Sequence, residues 1–272
     1  MLLDTEASPL SLQIRKNLQT MKETGLGIVI LAAGKGTRMN SDLPKVLHPI
    51  HTKPMIEYVV ETAEGLAGES VYIVVGHQAD RVRQEVSKRF NVRYVLQKDL
   101  LGTGDAVRAA LPMLDDHIED VLVMCGDVPL IRTETLGELV QSHRLNSNSL
   151  TVLAAEVDEP EGYGRIILDN DGRIICIREQ ADAREHEKKV RLVNTGMFCF
   201  DKKFLQEAIP MITAENEQKE YYLTDAIEIA VRKRKKSGVV RMSNSDEMMG
   251  VNTNEQLEKA EKFLQSTDYE LS

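Results

Sequence analysis

GIVILAAGKGTRM, residues 27–39, decides the fold. Its first half, GIVILAA (27–33), is an unbroken apolar run, too continuous for a strand with one wet face, so it reads as a strand buried on both sides. Its second half changes abruptly to small and cationic residues. A buried strand that empties into a glycine-rich turn opens a β-α-β unit. The pattern recurs in VYIVVG (71–76), VRYVL (92–96) and VLVMCGD (121–127), with helical periodicity near 54–66, 78–89, 103–113 and 133–144 between them. The expected product is an α/β protein with a mostly parallel sheet, helices on both faces, and a ligand at the carboxyl ends of the strands.

After about residue 150 the pattern changes. LTVLAAEV, GRIILD, GRIICIRE and TGMFCF are strand-like and joined by turn signals such as Asn170-Asp171-Gly172. They predict a β-rich subregion packed on the first part, followed by helices near 201–209 and 222–236. No internal repeat is visible, and no tandem hexapeptide of the kind that builds a β-helix. Residues 1–24 stand apart: Leu10, Leu12, Ile14, Leu18 and Met21 fall loosely on one helical face, which fits either a docked helix or a frayed tail.

Composition narrows the function. The chain has 272 residues, with 34 Lys and Arg against 43 Asp and Glu, a net charge of −9. That balance argues against a protein that coats nucleic acid or an anionic membrane, while leaving room for a local cationic pocket. The three cysteines, Cys125, Cys176 and Cys199, give neither a disulfide framework nor paired zinc-ligand spacing. The first ten residues, MLLDTEASPL, carry acids where a signal peptide wants bases, and no apolar run approaches the ~18 residues of a membrane span. A cytoplasmic protein with no nucleic-acid or membrane partner is expected.

Three features carry chemistry. Ala32, Ala33, Gly34 and Gly36 remove side-chain bulk so that backbone N–H groups can approach phosphate oxygens, and Lys35 and Arg38 add positive charge. A strand-to-helix turn can demand the same glycines for conformation alone. The loop is neither a Walker A sequence nor a GxGxxG dinucleotide turn. Lys45, in the proline-bounded DLPKVL, is either a solvated lysine or a charge that neutralises a transferring phosphoryl group. Asp127, in GDVPL at the end of a central strand, lies where Mg²⁺ on a polyphosphate would need a carboxylate; an Asx-turn or helix cap is its structural alternative. RKRKK (232–236) reads as the solvated end of the last predicted helix, stopped by Ser237-Gly238, and Cys176 and Cys199 read as small core residues. The six histidines show no metal-ligand spacing.

LAAGKGTRMNSDLPKVLHPI (31–50), QKDLLGTGDA (97–106), GDVPL (126–130), EGYGRI (161–166), Glu179, LVNTG (192–196), EYYLTD (220–225) and GVN (250–252) follow one another in an order that resembles the bacterial N-acetylglucosamine-1-phosphate uridylyltransferases, over roughly 26–265. The short interval from Arg38 to Lys45 is more similar to this family than to glucose-1-phosphate thymidylyl- or uridylyltransferases. The resemblance implies a Rossmann-like domain of the nucleotide-diphospho-sugar transferase type, spanning 25–272, with a nucleotide-binding part at about 25–149, a sugar-binding part at about 150–253 and a helix at about 254–266. It implies formation of UDP-N-acetylglucosamine and pyrophosphate from UTP and N-acetylglucosamine 1-phosphate, with Mg²⁺.

In the same terms, Leu31, Ala32, Ala33, Gly34, Gln97, Gly102 and Thr103 match nucleotide-binding positions, and Arg38 and Lys45 the catalytic cations. Asp127 and Asn252 match the metal ligands, and Gly164, Glu179, Asn194, Tyr222 and Thr224 the positions around the sugar. Chemically, the Gln97 amide suits the donor and acceptor edge of uracil, and Asn194 can bond an acetamido group in both directions. Family members often continue into a β-helical acetyltransferase half that drives trimerisation; this chain stops near the linking helix, so that second activity is not expected, and a homo-oligomer is left open. Asp105 stands where the family usually has His, and Cys125 stands where an aromatic residue is frequent, a change that bears on the packing of the sugar. The nearest alternative is the same chemistry with another hexose 1-phosphate or another triphosphate. A catalytically silent subunit that binds sugar nucleotides is the other.

Overall fold

In the computed structural model, residues 25–39 and 41–266 are described; the 1–24 segment, with its choice between docked helix and tail, lies outside them. At the centre is β1 (Leu26–Ala32), paired in parallel with β4 (Val71–Val75) on one side and β6 (Asp120–Cys125) on the other, and β4 pairs in parallel with β5 (Arg93–Leu96). Alternate residues of β1 enter different cores: Ile28 and Ile30 pack on one face of the sheet, Val29 on the other, all fully buried. That double burial is why the segment has no polar alternation.

Helices cover both faces. α1 (Met55–Ala67), α2 (Ala79–Val86) and α4 (Thr133–Leu145) supply apolar residues to the first core; α3 (Thr103–Ala110) and α5 (Lys202–Ala208) serve the second. α5 starts on Asp201, whose carboxylate accepts from the Phe204 amide at 2.8 Å, a side-chain cap of the kind that holds the first turn of a helix.

The β-rich stretch forms chiefly as an extension of the same sheet. β10 (Leu192–Asp201) lies next to β6 and β7 (Leu150–Glu156) next to β10, with β10 antiparallel to both, and β11 (Ser237–Arg241) closes the edge parallel to β7. The order is therefore β11-β7-β10-β6-β1-β4-β5. β8 (Arg165–Leu168) and β9 (Ile174–Arg178) form a hairpin that leaves this path from β10.

One expected helix is shorter than its pattern. The 222–236 segment becomes a 3₁₀ turn at Leu223–Asp225 and a helix, α6 (Ala226–Arg232), on the second core. The helix ends there because Arg234 adopts φ 55°, while the Lys235 amide bonds the Ala230 carbonyl at 2.9 Å and the Arg234 amide bonds Val231 at 3.0 Å. These are the two bonds of a Schellman stop, with arginine in the left-handed position that glycine usually fills. Gly238 is consequently a strand residue of β11. Lys233 and Lys236 are engaged with Glu207 and the Asn146 carbonyl. The last helix, α7 (Asn254–Ser266), rests near the short hairpin β2 (Pro49–Ile50) and β3 (Lys53–Pro54).

Candidate active site

Because β6 and β1 run in parallel register, with Leu31 opposite Cys125, the loops that leave their carboxyl ends emerge side by side. The Gly126 amide bonds the Leu31 carbonyl at 2.9 Å and carries the turn that presents Asp127. On the other side, the His77 amide bonds the Ala33 carbonyl at 3.1 Å, and the Gln97 amide bonds Val75 at 2.8 Å. Four parallel strands thus deliver their ends to one edge.

A cavity of about 510 Å³ opens there. Its walls include Leu31, Ala32, Ala33 and Gly34 from the glycine loop, Gln97, Gly102 and Thr103 from the β5–α3 turn, and Lys45 and Asp127. All seven expected nucleotide positions therefore line one space. Lys35, Cys125 and Glu220, the first residue of EYYLTD, line it as well. Burial, with Asp127 adding, pushes the Cys125 thiol up to about 12.

Two backbone conformations shape the walls. Gly36 has φ 61°, and a Cβ placed on it would lie 2.5 Å from the Lys45 Cβ, so the glycine lets the loop close on the lysine. Gly102, at φ 111°, lies where a Cβ would meet the Tyr221 carbonyl at 2.7 Å.

Lys45 begins a 3₁₀ turn, Lys45–Leu47, that is pinned by Pro44 and by the buried Val46 and Leu47. Its ammonium donates to the Asp127 carboxylate and, at 3.1 Å, to Asn252 Oδ1. Arg38 Nη2 donates to the same Asn252 oxygen at 3.1 Å. Asn252 belongs to a segment stitched to the β6 loop by the Val251 amide, 2.8 Å from the Asp127 carbonyl, and its own amide bonds Gln256 at 2.8 Å. Four residues separated by up to 214 positions thus form one cluster, of which Lys45 and Asp127 line the cavity. A carboxylate and an amide oxygen aimed at one positive charge are a donor set that suits a hard divalent cation, which takes oxygen ligands and keeps water and phosphate as the remainder. Among the described residues no group of three or more His, Cys, Asp or Glu gathers to form an all-protein metal cage.

The expected sugar positions adjoin one another. The Asn194 amide bonds the Gly164 carbonyl at 2.8 Å; a Cβ on Gly164 would be 3.1 Å from Glu179 Oε2; and Thr224 donates to Glu179 Oε1 at 3.1 Å. Burial raises the Glu179 carboxyl above its ordinary range, against the Thr224 bond that lowers it. The side-chain Oδ1 of Asn194 accepts from the Gly196 backbone amide at 2.9 Å. None of these five positions, Tyr222 included, is among the residues that line the first cavity. The Tyr222 hydroxyl donates to Gln218 at 2.8 Å, and the ring lines a second cavity of about 270 Å³ with Glu179, Asp182, Asp225 and Glu228.

Within that acidic cavity, burial, followed by the Glu228 and Glu179 charges, raises the Asp225 carboxyl from 3.8 to about 6. An acid raised on folding weighs against the native state once it must ionise: the cost is absent below the unfolded pKa and complete above the folded one. Stability should therefore fall as pH rises from about 4 to about 6. Asp225→Asn is expected to gain about 1–2 kcal/mol at pH 7.5, after solvent screening of a partly buried group, and nothing at pH 4. Urea unfolding at both pH values tests this; an equal effect at the two would refute it.

A sheet that gathers a glycine loop and an ion pair at one edge serves many phosphate-handling proteins, and comparison narrows the class. The chain belongs to the nucleotidyl transferase family, whose profile matches residues 28–263. Within it, the chain is similar to the bifunctional protein GlmU of Pelobacter propionicus, 44% identical over 236 residues, 87% of this chain and 51% of that protein. The GlmU of Alkaliphilus metalliredigens is also 44% identical, over 88% of this chain and 52% of its own length. That of Desulfotalea psychrophila is 40% identical over 89% of this chain and 71% of its own length. The chain spans about half the length of most of these relatives. In fold it is similar to a Bacillus anthracis structure described as a glucose-1-phosphate thymidylyltransferase, with TM-score 0.69 and 20% identity over 90% of this chain and 97% of that one.

Proposed function

We propose that the chain joins UTP and N-acetylglucosamine 1-phosphate into UDP-N-acetylglucosamine, releasing pyrophosphate. The observation that carries this reading is the cluster of Lys45, Asp127, Asn252 and Arg38, whose first two members line a strand-end cavity, in a chain 44% identical to proteins named GlmU. In the reaction, a phosphate oxygen of the sugar phosphate attacks the α-phosphorus of UTP. The bond from that phosphorus to the bridging oxygen breaks, and its electron pair leaves on pyrophosphate. The nucleophile is already ionised at neutral pH, so no base is required and the work is positioning and charge stabilisation.

Backbone N–H groups of the loop from Leu31 to Gly34 receive the phosphates, with Gln97, Gly102 and Thr103 around the nucleoside. Arg38 and Lys45 face the triphosphate and stabilise the charge that develops on the leaving group. Asp127 and Asn252 would hold Mg²⁺, which when bound supplies charge neutralisation and orientation of the phosphates. Gly164, Glu179, Asn194 and Thr224 hold the amino sugar, Glu179 accepting from sugar hydroxyls, with Tyr222 supporting the back of this pocket. UTP and N-acetylglucosamine 1-phosphate are soluble metabolites, which fits a cytoplasmic enzyme; among the described residues no helix is long and apolar enough to cross a membrane.

The test is pyrophosphate release from the purified protein with UTP and N-acetylglucosamine 1-phosphate, run beside glucose 1-phosphate and the other nucleoside triphosphates, with and without Mg²⁺. Turnover confined to the first pair and dependent on the metal is the expected result. Turnover with a different pair would reassign the substrate, and binding of UDP-N-acetylglucosamine without any turnover would overturn the enzyme reading in favour of a regulatory subunit.

A further inference from the structure

We propose that Asp105 sets the base preference of the nucleotide cavity by locking the side-chain amide of Gln97, so that its carbonyl oxygen is the atom left to face the base. The proposal rests on the nucleotide-binding reading of the cavity. Gln97 lines that cavity yet is only 4% exposed, so its amide has little freedom to choose partners. Its Nε2 donates at 3.1 Å to the Gly102 carbonyl and at 2.9 Å to Asp105 Oδ2. A carbonyl and an ionised carboxylate can only accept. The nitrogen end must therefore face them, and both its hydrogens are committed. Only Oε1 remains for a ligand.

Asp105 is itself held in place. It lies in the first turn of α3, where the helix dipole favours negative charge. Arg108, one turn on, reaches Asp105 Oδ1 at 3.5 Å and the Ile209 carbonyl at 3.4 Å, and its guanidinium lies 4.5 Å from the centre of the Tyr221 ring. A cation braced from three sides thus holds the carboxylate against Gln97. The backbone of Gln97 is fixed independently, through Val75.

The consequence is a fixed acceptor on the cavity wall. Uracil offers a ring N–H to such an acceptor, whereas cytosine has an unprotonated nitrogen at the same ring position, so lone pair meets lone pair. A buried polar mismatch of this kind separates two otherwise similar ligands by one to two orders of magnitude. Asp105 touches no base and is a positioning residue. With the carboxylate gone, the amide keeps only the Gly102 carbonyl as its anchor and can turn to suit either base.

The experiment measures dissociation constants of UDP, CDP, ADP and GDP by calorimetry for the wild-type protein, Asp105→Leu and Asp105→Asn. Asp105→Leu removes the acceptor at similar size and is expected to shrink the UDP-to-CDP preference about 10-fold, mostly through weaker UDP binding. Asp105→Asn keeps an oxygen in the same place and should retain most of the preference. In turnover, the Leu variant should raise the KM for UTP with kcat within about threefold of wild type. If Asp105→Leu does not fold, Asp105→Ala carries the same comparison. A preference unchanged within about twofold in the folded Leu or Ala variant overturns the proposal. A wild-type protein that prefers another base overturns the uridine reading instead, and Asp105 is then judged by whether the variants relax that other preference.

Discussion

Lys45→Ala lowers kcat by about 10²–10³ while the KM for UTP rises far less. The expectation follows from where the charge sits: the ammonium is held at the mouth of the cavity by Asp127 and Asn252, on a turn fixed by two buried side chains, so it is in place before substrate arrives. A preorganised donor aimed at developing charge contributes roughly 2.7–4 kcal/mol to the transition state, and its loss appears in kcat rather than in binding. Steady-state pyrophosphate release at saturating UTP measures it. A kcat within about threefold of wild type would remove Lys45 from the mechanism.

Asp127→Asn should be at least as damaging, with turnover reduced by about 10³. The substitution preserves shape, deletes the negative charge and exchanges one acceptor oxygen for an amide NH2. It leaves two neutral amide oxygens for a divalent cation, where hard cations favour carboxylate, and several kcal/mol of charge stabilisation depend on that cation being held. It also strips Lys45 of its ion-pair partner, leaving Asn252 as the side chain that holds its ammonium. The metal concentration for half-maximal activity is expected to rise about 10²-fold or more, and nucleotide-dependent Mn²⁺ binding, followed by paramagnetic resonance without turnover, should weaken in parallel. An unchanged metal response in the variant would show that the carboxylate holds no metal.

The central sheet was readable because burial on both faces erases polar alternation: Ile28, Val29 and Ile30 enter two different cores, and the text there has no polar residue to mislead. The glycine loop and Asp127 followed from the same reading, since strand ends in parallel sheets are where ligands sit. The order of the later strands was not readable. Nothing local in LTVLAAEV or TGMFCF says that β10 inserts antiparallel between β6 and β7, because pairing partners are chosen by the whole fold. The segment from Arg232 to Gly238 misled for a different reason. Its cations and glycine match every stop signal of a longer helix, and the actual stop depends on Arg234 taking a conformation that its residue type rarely adopts. Asn252 carried no signal of its own beyond the resemblance, since what recruits it is the Val251–Asp127 backbone bond, invisible in one dimension.

That same bond ties activity to the order in which the chain is made. The glycine loop, Lys45 and Asp127 can come together once the first four parallel strands exist, but Asn252 lies 207 residues beyond Lys45. At ribosomal speeds it emerges roughly 10–40 s later. A nascent chain that has already exposed Lys45 and Asp127 therefore still lacks Asn252, which joins them only after synthesis has passed the strand at the far edge of the sheet and the segment after it has folded back.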